Sequence, residues 1–120
     1  MAKTAEDLVR AAKAEITEID VAEAKTRLDG RTVFIDVREP PEWKDGTVPN
    51  ALCIPRGVLE WRAASEDPLK DKSVPVVVYC KSGGRSALAA QTLQQLGFED
   101  VQSLAGGYEA WTGTGASKND

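Results

Sequence analysis

Residues 74–96 read VPVVVYCKSGGRSALAAQTLQQL, and this stretch decides the fold of the chain. Its first part, residues 76–79, is β-branched and aromatic without alternation, which is typical of a strand buried on both faces. Its last part, residues 86–96, carries apolar side chains at helical spacing. Only the six residues 80–85 separate these two elements. The pattern therefore predicts a strand, a tight loop and a helix.

The loop combines a thiol with features that bind anions. Gly83 and Gly84 can adopt positive φ and turn their backbone amides inward, above Cys80. The helix that follows directs the positive end of its dipole at the same space. Lys81 and Arg85 add two positive charges. We therefore predict an anion-binding cradle with a thiol at its base, which the amides and the dipole hold as a thiolate.

The two cysteines of the chain are expected to differ in role. A free cysteine is most often a small buried core residue, and this interpretation suits Cys53, which lies in the apolar run 51–54. A second redox thiol able to reach Cys80 is the alternative for Cys53. Cys80 instead follows a strand at the edge where open α/β sheets bind ligands. Its glycine-rich and basic surroundings are those of reactive thiols, so we predict that Cys80 is a nucleophile.

The loop resembles the active-site loop of the rhodanese-type sulfurtransferases, and the resemblance covers residues 16–112. Residues 34–39, FIDVRE, resemble the second strand of that family with its Asp-x-Arg signature. Residues 42–51 resemble its stretch E-aromatic-x-x-G-H-I-P-G-A. Residues 104–111, LAGGYEAW, resemble its closing G-G-aromatic-x-x-W. These matches occur in the order that the family has.

Two residues depart from the family pattern. Thr47 stands where the family usually has His, and Asn50 where it usually has Gly. We expect them to alter the local geometry of their segment and to leave the chemistry of the loop intact.

The alternation of predicted strands and helices indicates a parallel α/β sheet. The resemblance implies a rhodanese-like three-layer domain, with a central, mostly parallel five-stranded sheet flanked by helices. We expect this domain to span residues 16–112. An N-terminal helical extension over residues 1–15 precedes it, and a small, polar, disordered tail over residues 113–120 follows it.

The resemblance also implies a reaction. Cys80 would take a sulfane sulfur from thiosulfate or a similar small anionic donor, forming a persulfide. Cyanide or a thiol, which could belong to a protein, would then accept that sulfur. The residues implied to bind the substrate are Lys81, Ser82, Gly83, Gly84, Arg85 and Ser86. The resemblance implies no metal and no cofactor.

Asp36 and Arg38 lie at the end of the second predicted strand and should stand beside the loop. Our hypothesis is that Asp36 orients Lys81 or Arg85. The alternatives are an ion pair between Asp36 and Arg38, or a simple end of the strand.

Other reactions of cysteine loops fit the sequence less well. The chain contains no histidine, whereas cysteine hydrolases usually need one as base or proton donor. Cysteine phosphatases and arsenate reductases have one residue more between cysteine and arginine than the four found here between Cys80 and Arg85. A phosphatase also needs a general acid that no residue evidently supplies. A non-enzymatic sulfur-carrier or regulatory binding module is the alternative from another class, and a mercaptopyruvate-type donor is less consistent with the Lys and Arg of the loop.

Length and charge restrict the remaining possibilities. The 120 residues suffice for one domain, and 42% apolar with 28% charged residues is ordinary for a globular protein. A net charge of −4 without a basic tract makes nucleic acids and anionic membranes poor partners. The sequence shows no membrane span and no signal peptide pattern, so we expect a cytoplasmic location. The oligomeric state stays open.

The spacing of apolar residues predicts faces for two further helices. In the helix that Asp20 caps, Leu28 is expected on the buried face and Gly30 just beyond the end. In a helix over residues 57–64, Val58 and Trp61 are expected together on one face.

Overall fold

The computed structural model describes residues 2–113, and within them it has five strands and five α-helices. Most of the predicted tail, residues 114–120, lies outside the described residues. The strands are β1 Thr17–Ile19, β2 Val33–Asp36, β3 Leu52–Cys53, β4 Val76–Tyr79 and β5 Val101–Leu104. The helices are α1 Ala5–Glu15, α2 Val21–Thr26, α3 Leu59–Ser65, α4 Gly84–Gln95 and α5 Gly107–Thr112. Short 3₁₀ helices span Pro40–Asp45, Arg56–Val58 and Asp67–Leu69.

The strands form one sheet in the order β1-β5-β4-β2-β3, with every pairing parallel. The predicted α/β fold is therefore confirmed, with a sheet that is parallel throughout. All four residues of the central strand β4 are buried, as its unbroken apolar pattern predicted. Because the strands run the same way, the segments that follow β2, β3 and β4 meet at one edge of the sheet.

Two apolar clusters cover the two faces of the sheet and give the domain three layers. One cluster joins Val76 and Val78 to residues of α3 and α4, including Ala63 and Leu93. The other cluster lies on the opposite face, and it joins Phe34, Val77, Tyr79 and Leu104 to Ala24 of α2 and Trp111 of α5. Burial of such aliphatic side chains stabilises the fold by about 1.5–3 kcal/mol each.

Helix α1 is capped at its N-terminus and packs against the rest of the domain. Thr4 caps it, since its hydroxyl accepts from the Asp7 amide at 3.0 Å while the Asp7 carboxylate accepts from the Thr4 amide at 2.9 Å. The helix packs on α4, with Ala12 fully buried. Within residues 2–113, no helix has both the length and the apolar character needed to cross a membrane.

Three apolar side chains with a predicted helix face are exposed, and for Leu28 the prediction of burial was wrong. Trp61 is 73% exposed, because α3 buries Leu59 and Ala63 instead, and Val58 is also exposed. Leu28 is 47% exposed, because α2 already ends at Thr26 and leaves it in the loop beyond the helix.

Candidate active site around Cys80

The sulfur of Cys80 lies directly after β4 and faces hydrogen-bond donors. The Gly83 amide donates to Sγ at 3.1 Å, and the Ser86 amide donates to it at 3.3 Å. The Ser86 hydroxyl is hydrogen bonded to the same sulfur at 3.5 Å. The residue is only 1% exposed. The structure thus places inward-turned amides at Gly83 and Ser86, where both point at the Cys80 sulfur.

The backbone of Gly83 makes this arrangement possible. Gly83 has φ +116° and forms the N-cap of α4. An L side chain rarely adopts this conformation, whereas glycine does so without strain. The turn brings the amides of the first turn of α4 towards the sulfur. Those amides have no partner inside the helix, so the helix start supplies one of the two donors.

Helix α5 holds the loop backbone from the other side. The Tyr108 amide donates to the Cys80 carbonyl at 2.8 Å, and the Glu109 amide donates to the Lys81 carbonyl at 3.0 Å. A Cβ atom on Gly107 would lie 2.5 Å from the Cys80 carbonyl oxygen. Only glycine allows the two backbones to come this close. The N-termini of α4 and α5 therefore converge on the residues around the sulfur.

Asp36 and Arg38 form a buried ion pair at the end of β2. The Arg38 Nη2 atom donates to the Asp36 carboxylate at 2.7 Å, and both side chains are at most 3% exposed. Burial disfavours the charge on Arg38, but the contact with Asp36 outweighs it and the pKa of Arg38 is raised. The hypothesis that Asp36 orients Lys81 or Arg85 was wrong, since Asp36 binds its near neighbour in sequence. The alternative, an Asp36–Arg38 pair, is what the structure has.

Glu42, not Asp36, binds the arginine of the loop. Its carboxylate accepts from Arg85 at 2.7 and 3.1 Å, and from the Glu39 amide at 2.9 Å. The Arg85 hydrogen bonds are the main cause that lowers the pKa of Glu42 to about 2. Arg38 donates to the Glu42 carbonyl at 3.1 Å, so the buried pair reaches the loop through Glu42. Sequence reasoning placed Glu42 in the family-like stretch but gave it no partner.

The two departures from the family pattern lie in the segment before β3. Asn50 has φ +62° and is the one non-glycine residue with positive φ within residues 2–113. Asparagine tolerates this conformation better than most residues, so it can stand where the family usually has glycine. The Thr47 hydroxyl donates to the Val48 carbonyl at 3.0 Å.

A cleft of about 460 Å³ borders the loop at Lys81. Lys81 and Ser82 are exposed, and within residues 2–113 no carboxylate lies within salt-bridge distance of the Lys81 ammonium. The Arg38 guanidinium lies 4.3 Å from the centre of the Tyr108 ring. The residues lining the cleft are Arg38, Glu42, Asp45, Lys81, Tyr108, Glu109 and Thr112.

Cys53 ends β3 and pairs with Asp36 in the sheet register. Its sulfur is 3.9 Å from the Ala51 carbonyl, which can only accept a hydrogen bond. Burial, followed by the charge of Asp36, raises the pKa of the Cys53 thiol. Cys53 is therefore kept neutral. In the described part of the chain, no group of three or more Cys, Asp and Glu side chains is arranged to hold a metal ion.

A second serine lies behind the loop. The hydroxyls of Ser86 and Ser103 are 2.9 Å apart and both residues are fully buried. Ser103 belongs to β5, and its position in the pattern VQSL gave no signal of a link to the loop.

Comparison with known proteins places these features in a family. The Rhodanese-like domain profile matches residues 20–114. A protein of Allochromatium vinosum named "Sulfurtransferase" is 39% identical over 98 residues, which cover 80% of this chain and 88% of that protein. A mitochondrial protein of Schizosaccharomyces pombe, provisionally named a thiosulfate sulfurtransferase, is 37% identical over 93 residues. That alignment covers 70% of this chain and 66% of the yeast protein.

Two solved structures with similar folds cover most of this chain. The human single-domain sulfurtransferase TSTD1 superposes with a TM-score of 0.70 at 29% identity, over 79% of this chain and 94% of that one. A Rhodopseudomonas palustris protein of unknown function, described as a possible tyrosine phosphatase, superposes with a TM-score of 0.84 at 29% identity. That superposition covers 96% of this chain and 93% of the other.

Proposed function

The chain belongs to the rhodanese-like domain family of sulfurtransferases, and from this premise we propose that it moves a sulfane sulfur from thiosulfate or a similar anion to cyanide or a thiol. The observation that carries the proposal is the Cys80 sulfur, which two backbone amides and one hydroxyl contact. A thiolate in this position is a nucleophile that needs no histidine.

In the first step, the Cys80 thiolate attacks the outer sulfur of thiosulfate. A new S–S bond forms, the S–S bond of thiosulfate breaks, and sulfite leaves with the bonding electron pair. Cys80 is left as a persulfide, whose negative charge lies on the outer sulfur. No proton has to move, because sulfite leaves as an anion.

In the second step, cyanide or a thiolate attacks the outer sulfur of this persulfide. The products are thiocyanate or the persulfide of the acceptor, and the Cys80 thiolate returns with the electron pair of the broken bond. The amides of Gly83 and Ser86 stabilise that leaving thiolate as they stabilised the nucleophile. Charge-assisted hydrogen bonds of this kind contribute about 1.5–3 kcal/mol each.

The two cations of the loop have different tasks in this proposal. Glu42 occupies the Arg85 guanidinium with two hydrogen bonds, so a donor would have to displace a carboxylate to use it. Lys81 is exposed at the edge of the cleft. Lys81 is therefore the side chain that attracts the anionic donor, while Arg85 mainly anchors the loop to the Pro40–Asp45 helix.

Phosphatase chemistry is the second candidate, because the similar Rhodopseudomonas palustris protein carries that description. Cysteine phosphatases need a longer loop than this one, since only four residues separate Cys80 from Arg85. The loop length therefore argues against phosphatase activity. The shorter loop encloses a smaller space, better matched to one sulfur than to a phosphate.

The test is intact-mass spectrometry after incubation with thiosulfate in the absence of reductant. We expect the wild-type chain to gain the mass of one sulfur atom and to lose it again when cyanide is added. Cys80→Ser should show neither change, while Cys53→Ala, the matched cysteine control, should behave as wild type. Hydrolysis of an aryl phosphate without sulfur gain would favour the phosphatase. If the wild-type chain gains no sulfur while Cys80 is unoxidised, the result would favour the alternative of a non-enzymatic binding module.

A further inference from the structure

Ser103 has a polar group in a place where the fold needs none. It lies in β5 with 0% exposure, on the sheet face where Val101 supplies apolar packing. A buried hydroxyl without a partner destabilises a fold. Within residues 2–113, its side chain makes one hydrogen bond, to the Ser86 hydroxyl at 2.9 Å. This single contact joins Ser103 to the serine that contacts the Cys80 sulfur.

The direction of that hydrogen bond follows from the number of protons. Each serine hydroxyl has one hydrogen to donate. The described residues offer the Ser103 hydroxyl one acceptor, the Ser86 oxygen, so Ser103 must donate to avoid an orphaned hydrogen. Ser86 then keeps its own hydrogen for one of two other acceptors. These are the Gly83 carbonyl at 3.3 Å and the Cys80 sulfur at 3.5 Å.

We propose that Ser103 is a positioning residue for sulfur transfer, because its buried hydroxyl donates to Ser86 and so leaves the Ser86 hydrogen available to the Cys80 sulfur when that sulfur is a thiolate. When that sulfur is a thiol, its hydrogen points to Ser86 and the Ser86 hydrogen points to Gly83. When the sulfur is a thiolate, the Ser86 hydrogen turns to it. The chain of hydrogen bonds then runs from Ser103 through Ser86 to Cys80.

This chain of hydrogen bonds deepens the proposed function. Its role in catalysis rests on that function. The thiolate is present before the first step and returns in the second, and each time it has three donors instead of two. In the persulfide the charge lies on the outer sulfur, so the Ser86 hydrogen can return to the Gly83 carbonyl. A hydroxyl that already accepts a hydrogen bond is a stronger donor, by about 10–30% of the bond.

The charged groups around the loop do not imitate this effect. On the elements packed against the loop, these charged groups are Asp36 and Arg38 at the end of β2, Glu42, Lys81, Arg85, Glu109 and, on α1 beside Gly84, Glu6, Arg10 and Lys13. Glu42 has a pKa of about 2 and is ionised throughout the neutral range, and the pKa values of Arg38 and Arg85 are raised. Burial also raises the pKa of Tyr79. A change in pH response on removal of Ser103 therefore reports on the hydroxyl chain.

The experiment measures the rate of Cys80 alkylation by iodoacetamide from about pH 5 to 9, with peptide mass spectrometry to separate Cys80 from Cys53. Ser103→Ala should move the midpoint of the profile upward by about 0.5 pH unit, and Ser86→Ala by about 1 unit. Ser103→Thr, which keeps a hydroxyl, should restore the wild-type midpoint. If the added methyl group unfolds that variant, Ser103→Cys should give an intermediate midpoint, because a thiol is a weaker donor.

Val101→Ala is the matched control, since Val101 is buried two residues earlier on the same face of β5. It should lower the unfolding free energy while leaving the alkylation midpoint in place. A Ser103→Ala profile identical to wild type, or a Val101→Ala profile shifted as far as that of Ser103→Ala, would overturn the proposal. Alkylation needs no sulfur donor, so this result stands apart from the thiosulfate test. Failure of that test would overturn the proposed function and leave the hydroxyl chain unaffected.

Discussion

The two cysteines lie at the same edge of the sheet, on either side of β2, and have opposite surroundings. In the sheet register, Asp36 pairs with Cys53 on one side and with Tyr79, the residue before Cys80, on the other. The two thiols are therefore separated by the single strand β2. The sulfur of Cys80 faces two amide donors. The sulfur of Cys53 faces a carbonyl oxygen and the negative charge of Asp36. One sulfur faces hydrogen-bond donors, and the other faces an acceptor and a negative charge.

Exposure does not explain the difference. Cys80 is the more buried of the two, so greater exposure is not what makes it the candidate nucleophile. The sign of the neighbouring dipoles and charges decides instead. A candidate nucleophile and a packing thiol can therefore flank the same strand, β2, provided that backbone donors point at only one of them.

The largest expected effect breaks the environment of Cys80 without touching its side chain. In Gly107→Ala, the new Cβ would lie 2.5 Å from the Cys80 carbonyl at a φ of +59°. Overpacking against rigid backbone, together with the strained φ, should lower the unfolding free energy by about 2–4 kcal/mol in urea denaturation. The displaced loop should also load sulfur from thiosulfate about 100-fold more slowly.

Gly30→Ala is the control for that variant. Its φ is +80°, and a Cβ there meets no atom within 4 Å. It should therefore show only the conformational cost, about 1–2 kcal/mol, and load sulfur at the wild-type rate. Equal sulfur loading by the two variants would mean that contact with α5 does not hold the loop in its active shape.

The second largest effect is expected for Glu42→Gln, which removes a charge near Cys80. The backbone amides that donate to the Cys80 sulfur stay in place, so this variant separates the two influences. Glu42→Gln should lower the unfolding free energy by about 1–2 kcal/mol at neutral pH, discounted for partial exposure of the Glu42–Arg85 pair. The pKa of Glu42 is about 2 in the folded chain, below the ordinary value of 4.5. The stabilisation is thus complete above about pH 4.5 and is lost as the pH falls towards 2. Urea denaturation at several pH values should show the two chains converging over this window.

Glu60→Gln is the control for the ion pair. Glu60 binds Arg56 at 3.3 Å, one turn away on the same helical segment. Such a surface pair should contribute no more than about 0.5 kcal/mol. A pH-independent difference between wild type and Glu42→Gln would contradict the assignment of the stabilisation to the Arg85 pair.

The smallest effect concerns Cys53. Cys53→Ala should lower the unfolding free energy by about 1 kcal/mol, because it removes a partly buried sulfur. The rate of sulfur loading should stay within about twofold of wild type, as expected for a site that acts independently of the loop. A large loss of activity in a folded Cys53→Ala chain would show that Cys53 has a redox role. It would then be wrong that Cys53 serves only in packing.

Local sequence patterns predicted much of this molecule. The unbroken run 76–79 identified the central strand, and the Gly83-Gly84 pair located the turn whose amides reach the sulfur. These features could be predicted because their causes lie within a few residues along the chain. Asp20 as a helix cap is a further example.

Features that depend on distant residues were missed or misplaced. Glu42 and Arg85 are 43 positions apart, and Ser86 and Ser103 are 17 apart, so no local pattern links them. Trp61 has helical spacing with its neighbours, but spacing does not tell which face of a helix meets the sheet. Asp36 was given a distant partner when a neighbour two residues away satisfies it.

The central position of β4 has a consequence for how the chain acquires its site during folding. Strand β4 must pair with β2 before it and β5 after it, as in the register partners Val33↔Val76 and Val76↔Val101. Sheets built from such non-local pairings form slowly. Ser103 and Gly107, which support the loop, belong to the last elements of the chain. We therefore expect the thiol to gain its full set of neighbours only when the C-terminal strand and helix dock, so that a partly synthesised chain carries Cys80 as an ordinary cysteine.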